Sequence, residues 1–188
     1  MTEPNKSWHC SIVSQVTISI DHILSNKRCP KLSWLSYQNT ELDSLAEDSE
    51  MPKLRECAAQ KLKLAPKNVD MQMSVSTLKQ TLLSKEKCLF IHPTISTENF
   101  IISPDLMLVN RSKISLYHVS VSYNPLSAGI DTLAFYSYVL KSLGFSINTV
   151  CIFTINSSYK KNISTQDILK SNFVSHRVFK RENYIEKV

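Results

Sequence analysis

Ile114-Ser115-Leu116-Tyr117-His118-Val119-Ser120-Val121-Ser122 is the stretch whose reading decides the fold. Its side chains alternate: Leu116, His118, Ser120 and Ser122 fall on one face, Tyr117, Val119 and Val121 on the other, so the segment predicts a β-strand. A loop is expected over Asn124–Gly129. Asp131–Leu143 then reads as the best helix in the chain, with Asp131 as its cap, Leu133, Tyr136, Leu140 and Leu143 as its apolar stripe, and Gly144 as its stop. Ser146–Asn156 follows as a strand of the buried kind, centred on Val150-Cys151-Ile152-Phe153. Strand, helix and strand in this order predict a crossover onto a parallel neighbour.

Working upstream, Cys88–Ile95 and Phe100–Val109 read as two further strands, which makes a meander of three before the crossover. Two helices are expected before them. Lys53–Leu64 spaces Leu54, Cys57, Ala58 and Leu62 three to four apart and is ended by Pro66; Ser76–Ser84 carries Leu78, Leu82 and Leu83. Earlier still, Ser19 is placed to cap a short helix to Leu24, and Cys29-Pro30 opens another that carries Leu32, Trp34 and Leu35. Gln38–Pro52 is polar and acidic and reads as a loop, and Ser11–Thr17 is a candidate edge strand. Downstream, the segment from Gln166 is mixed, with Phe173, Val174 and Val178 available for packing. The order α-β-β-β-α-β is that of an α/β domain with a mixed sheet. Residues 1–18 are expected as a poorly ordered lead-in and 19–188 as a single domain, with a helical part over 19–86 and a sheet-bearing core over 87–188.

Bulk composition narrows the chemistry. The 188 residues suffice for one hydrophobic core, and 43% apolar with 20% charged side chains is a globular balance. Only two glycines occur, Gly129 and Gly144, so no phosphate-cradling glycine loop is present and a nucleotide cofactor is not expected. No Gly-x-Ser-x-Gly elbow anchors a hydrolase triad. The five cysteines, at 10, 29, 57, 88 and 151, include no CxxC pair, which argues against a zinc knuckle or disulfide framework. No stretch is apolar enough to predict a membrane span, and the expected compartment is the cytoplasm. The net charge of +6 gathers toward the C-terminus, where residues 101–188 hold 10 basic and 5 acidic side chains. That distribution suits a phosphate-backbone partner, and it equally suits an ordinary basic protein with a solvated charged face.

Specific residues add a resemblance. Cys29-Pro30-Lys31-Leu32-Ser33-Trp34-Leu35, Ala134-Phe135-Tyr136-Ser137-Tyr138-Val139-Leu140 and Asn156-Ser157-Ser158-Tyr159, together with the strand order, resemble the PD-(D/E)XK nuclease superfamily. Within it the marks are similar to those of a bacterial domain family akin to RecB-like nucleases. The likeness runs over roughly Ser19 to Tyr159 and implies a restriction-endonuclease-like core with helices before it. By the family's intervals, Asp105 falls on the metal-binding aspartate, His118 on the glutamate, Ser120 on the lysine, Tyr136 on the helix glutamine and His92 on the acidic residue of the first strand.

Phosphodiester cleavage of this type uses carboxylates on adjacent strands to hold Mg²⁺ or Mn²⁺, which activates water and screens the phosphate. The lysine one alternation beyond the glutamate stabilises developing charge. Here four of those five positions have changed type, which leaves Asp105 as the one carboxylate. The resemblance therefore implies a degenerate, non-catalytic nuclease-like protein, with DNA as the expected partner and no cofactor. Three other readings stay open. An active DNA nuclease with unusual ligands would use Mg²⁺ or Mn²⁺, or would join His92, Asp105 and His118 around Zn²⁺, Mn²⁺ or Fe²⁺. The fold could serve as a protein-interaction or regulatory scaffold. The chain could be a truncated or decaying copy, since relatives of this kind run on beyond its last residue. An iron–sulfur cluster is not expected, because Cys29 lacks the C-terminal cysteine group such a cluster needs. Lys160, Lys161, Lys180 and Arg181 are the candidate phosphate contacts, and Phe135, Tyr136 and Tyr138 are either base-stacking residues or core.

Overall fold

The computed structural model describes residues 18–20, 51–120, 126–155 and 169–185. Expectations for Ser11–Thr17, for all but the first two residues of Ser19–Leu24, for the Cys29–Leu35 helix and for the Asn156–Tyr159 motif lie outside these residues. In chain order the elements are α1 (Met51–Lys61), β1 (Pro66–Val69), β2 (Gln72–Ser74), α2 (Val75–Leu83), β3 (Cys88–Ile91), β4 (Thr94–Ser96), β5 (Ile101–Ile102), β6 (Leu106–Asn110), β7 (Lys113–Ser120), α3 (Leu126–Ser142), β8 (Ser146–Ile155), β9 (Leu169–Phe173) and α4 (Ser175–Ile185).

Six strands form one mixed sheet in the order β1-β3-β6-β7-β8-β9, and β2-β4-β5 form a smaller one. Strands β3, β6 and β7 are the expected antiparallel meander, and β8 lies parallel to β7 after the crossover through α3. β1 adds a parallel edge to β3, and β9 an antiparallel edge to β8.

Alternation along the strands sends side chains into two cores. Phe90, Met107, Val109, Ile114, Leu116, Val150 and Ile152 share one cluster with Leu78 of α2, Leu133, Val139 and Leu140 of α3, and Val174 and Val178, which bind the C-terminal helix to the sheet. Leu89, Ile91, Leu106, Leu108, Tyr117, Val119, Cys151 and Phe153 face the other way and meet Ala58 and Ala59 of α1. The molecule is thus a three-layer α/β arrangement, with the sheet covered on both faces. Phe135 and Tyr136 of α3 are buried in the core, and Tyr138 is half-buried against it. No described helix is long and apolar enough to cross a membrane.

Several boundaries differ from the sequence reading, each for a local reason. α1 begins at Met51, inside the expected loop, with Pro52 in its first turn where a missing N–H costs nothing, and it ends at Lys61. Lys63 then takes a positive φ, and Pro66 opens a strand rather than closing the helix. β1 and β2 fall within residues 19–86, the part expected to carry helices and no strand; β1 is exposed at all four positions, so no period marks it. The expected strand Cys88–Ile95 breaks at His92, whose φ is 47° ahead of Pro93. Phe100–Val109 breaks across Ser103-Pro104-Asp105. α3 starts at Leu126, so the expected loop Asn124–Gly129 is partly helix and Asp131 is not its cap.

The two sheets are joined at a double corner. Asp70 and His92 end the paired strands β1 and β3, both with positive φ (48° and 47°). The Asp70 carboxylate meets His92 Nδ1 at 2.9 Å, and the two chains then continue side by side as β2 and β4. The partnership of residues 22 apart is the same on both sides of the corner.

Candidate functional site

Asp105 stands just before β6, after Pro104, at the end of the strand where the chain enters the large sheet. The register pairs Leu106 with Tyr117, so the next position outward sets Asp105 opposite His118. Side chains at 116, 118 and 120 share the face that carries α3. The structure thus brings Asp105 and His118, both candidate site residues, to one place.

Both carboxylate oxygens of Asp105 are engaged. Oδ1 accepts from Arg55 Nε at 2.8 Å. Oδ2 lies 2.8 Å from His118 Nδ1 and accepts from the Val119 backbone N–H at 2.9 Å. An ionised carboxylate offers acceptors only, so Nδ1 of His118 is the donor. Arg55 comes from α1, the layer opposite α3, so Asp105 ties the two helical layers together through the end of the sheet. The Arg55 and Asp105 side chains are 9% and 8% exposed, while His118 keeps 25%.

Burial acts to raise the Asp105 carboxyl. The hydrogen bond and charge of His118, the Val119 N–H and the Arg55 guanidinium act against it and hold the group below its ordinary value. Asp105 is therefore a carboxylate at neutral pH.

Gly129 explains how close α3 lies to this cluster. A Cβ there would stand 2.9 Å from His118 Cδ2 and 3.0 Å from Ile152 Cδ1. A helix-interior glycine costs about 1 kcal/mol relative to alanine, and here the lack of a side chain lets the helix rest on the imidazole.

The other expected site residues fall elsewhere or play other parts. His92 is adjacent through its backbone, its N–H bonding the Asp105 carbonyl at 2.8 Å, but its ring turns to Asp70. Ser120 lies one alternation beyond His118, half-buried. Tyr136 donates to the Ser103 carbonyl at 3.3 Å and so braces the turn leading into Asp105. Arg181 Nε binds Asp131 Oδ1 at 2.6 Å, which makes it a link between α4 and α3. Lys180 is exposed on α4, and Lys160 and Lys161 lie outside the described residues.

A hard divalent cation needs several free oxygen ligands. Among the described residues the donors here do not fit one: the Asp105 carboxylate is already bonded on both oxygens, and Arg55 brings a fixed positive charge to the same spot. Among the described residues, no group of three or more His, Cys, Asp or Glu side chains could hold a metal ion, and the His92 ring pairs with Asp70 rather than joining Asp105 and His118. Burial pushes the Cys151 thiol of β8 up to about 11, which keeps it protonated.

Arg55 is the site residue that sequence reasoning missed. Its signal is present, since the buried face of α1 is Arg55, Ala58 and Ala59, whereas the apolar stripe read from the sequence runs through Leu54, Cys57, Ala58 and Leu62. Compared with known proteins, the chain matches no protein-family model and no curated protein.

Proposed function

We propose that this chain is a PD-(D/E)XK nuclease-like protein with a restriction-endonuclease-like core, that its metal position has become an internal ion-pair cluster, and that it binds nucleic acid without cutting it. The occupied carboxylate of Asp105 carries the reading. In a metal-dependent nuclease that carboxylate would face the cation; here Arg55 and His118 surround it. The meander, the crossover through α3, the parallel strand β8 and the placement of Asp105 opposite His118 support the nuclease-like ancestry. The residues at the glutamate and lysine positions, His118 and Ser120, supply neither a second carboxylate nor a cation for developing charge.

The test is incubation of the purified protein with plasmid and linear DNA in Mg²⁺ or Mn²⁺, alongside gel shifts at rising salt. The expected result is intact DNA and retention that weakens as salt rises. Cleavage that Asp105→Ala abolishes would overturn the non-catalytic reading. Absence of DNA retention would overturn the binding half and favour a protein-interaction scaffold.

A further inference from the structure

The first turns of α4 carry His176 and Arg177, with Lys180 one turn on, all exposed. These residues sit at i, i+1 and i+4, so their side chains fan over neighbouring parts of one helix surface. Together with Arg181, Ile130 and Asp131 they line a groove of about 490 Å³ between α3 and α4.

The charges of that groove are unequal in kind. Arg181 is neutralised by Asp131 at 2.6 Å, and nearby Lys141 is neutralised by Glu182 at 2.5 Å. Arg177 and Lys180 have no ion pair among the described residues. Two cations at i and i+3 repel, and a cation in a first turn opposes the helix dipole. α4 has no acidic residue in its first turn to offset this. Helix stability alone does not account for the arrangement, whereas an anion in the groove relieves all of these costs at once.

We infer that the α3–α4 groove binds a phosphate-bearing ligand, with Arg177 and Lys180 as its contacts, His176 at its rim, and Arg181 as the strut that holds the groove's two walls together. The assignment deepens the nucleic-acid-binding reading by giving the backbone phosphates a place. It also divides the basic pair Lys180-Arg181 into a contact and a strut. The phosphate chemistry is shared by a nucleic-acid backbone and by small phosphates, and the experiment separates them.

Binding of a fluorescein-labelled DNA duplex is measured by anisotropy across a salt series for the wild type, for Arg177→Glu/Lys180→Glu, and for Lys85→Glu/Lys87→Glu. The last variant makes the same charge change at two exposed lysines in the α2–β3 loop. A calorimetric titration with inorganic pyrophosphate is run beside it, and thermal melts establish that each variant folds. The groove variant is expected to bind DNA about tenfold or more weakly, with a salt slope lower by about two, while the loop variant stays near the wild type. Equal losses in both variants, or no loss in the groove variant, overturn the groove assignment and leave DNA binding in place. Pyrophosphate binding that the groove variant loses, with no DNA binding by the wild type, supports the groove as a small-phosphate site and overturns the nucleic-acid reading. No binding of either probe overturns both.

Discussion

Asp105 is the residue on which most depends, because one buried carboxylate satisfies a guanidinium, an imidazole and an amide. Asp105→Asn removes the charge and breaks the buried ion pair with Arg55. The expected cost is about 3–5 kcal/mol, measured by urea unfolding at neutral pH. The pH dependence follows from the direction of the shift. The folded group sits below its ordinary value, so the unfolded chain binds the proton first as pH falls. The stabilisation is fully present above about pH 4 and is lost as pH drops through the lower folded-state value. The gap between wild type and Asp105→Asn should therefore close in acid, and a gap that widens there would contradict this account. Gly129 supplies a second residue-scale test. Gly129→Ala gains helix propensity of about 1 kcal/mol but drives a methyl into an imidazole that Asp105 pins, so a net loss of about 1–3 kcal/mol is expected. Combining it with His118→Ala should recover most of that loss in a double-mutant cycle, since the obstructing ring is gone.

At the scale of elements, α2 shows how local chemistry sets a boundary. Ser74 caps it, its hydroxyl accepting from the Thr77 N–H at 3.1 Å, and Ser74→Ala should cost about 1 kcal/mol in thermal or urea unfolding. Elements of this kind were legible in the sequence to within a residue or two: α2 and β7 are periodic, β8 is a continuous apolar run, and Gly144 at φ 86° stops α3 as expected. What could not be read was set by tertiary contacts. β1 has four exposed side chains and exists because β3 offers it a free edge. Gly129 looked like a loop residue because helices avoid glycine, and only the distance to His118 reveals why this helix keeps one. The site was half legible for the same reason. Asp105, at the entry to β6, and His118, on the neighbouring β7, are 13 residues apart, whereas Arg55 arrives from 50 residues away on the opposite layer.

For the molecule as a whole, both faces of the large sheet are covered, and Leu116 lies fully buried near its middle. Leu116→Ala should cost about 2–5 kcal/mol, and one cooperative transition is expected when fluorescence and circular dichroism are compared, because the two cores share the same strands. Two separate transitions would show that the layers are independent. The double corner at Asp70 and His92 sets a further condition on the chain. Two neighbouring strands leave one sheet for another in step, so each keeps the other's count. One residue gained or lost at either bend would turn Met73 or Ile95 from interior to solvent. Changes of length are therefore tolerated there only as matched pairs, like two rails that can be relaid only together.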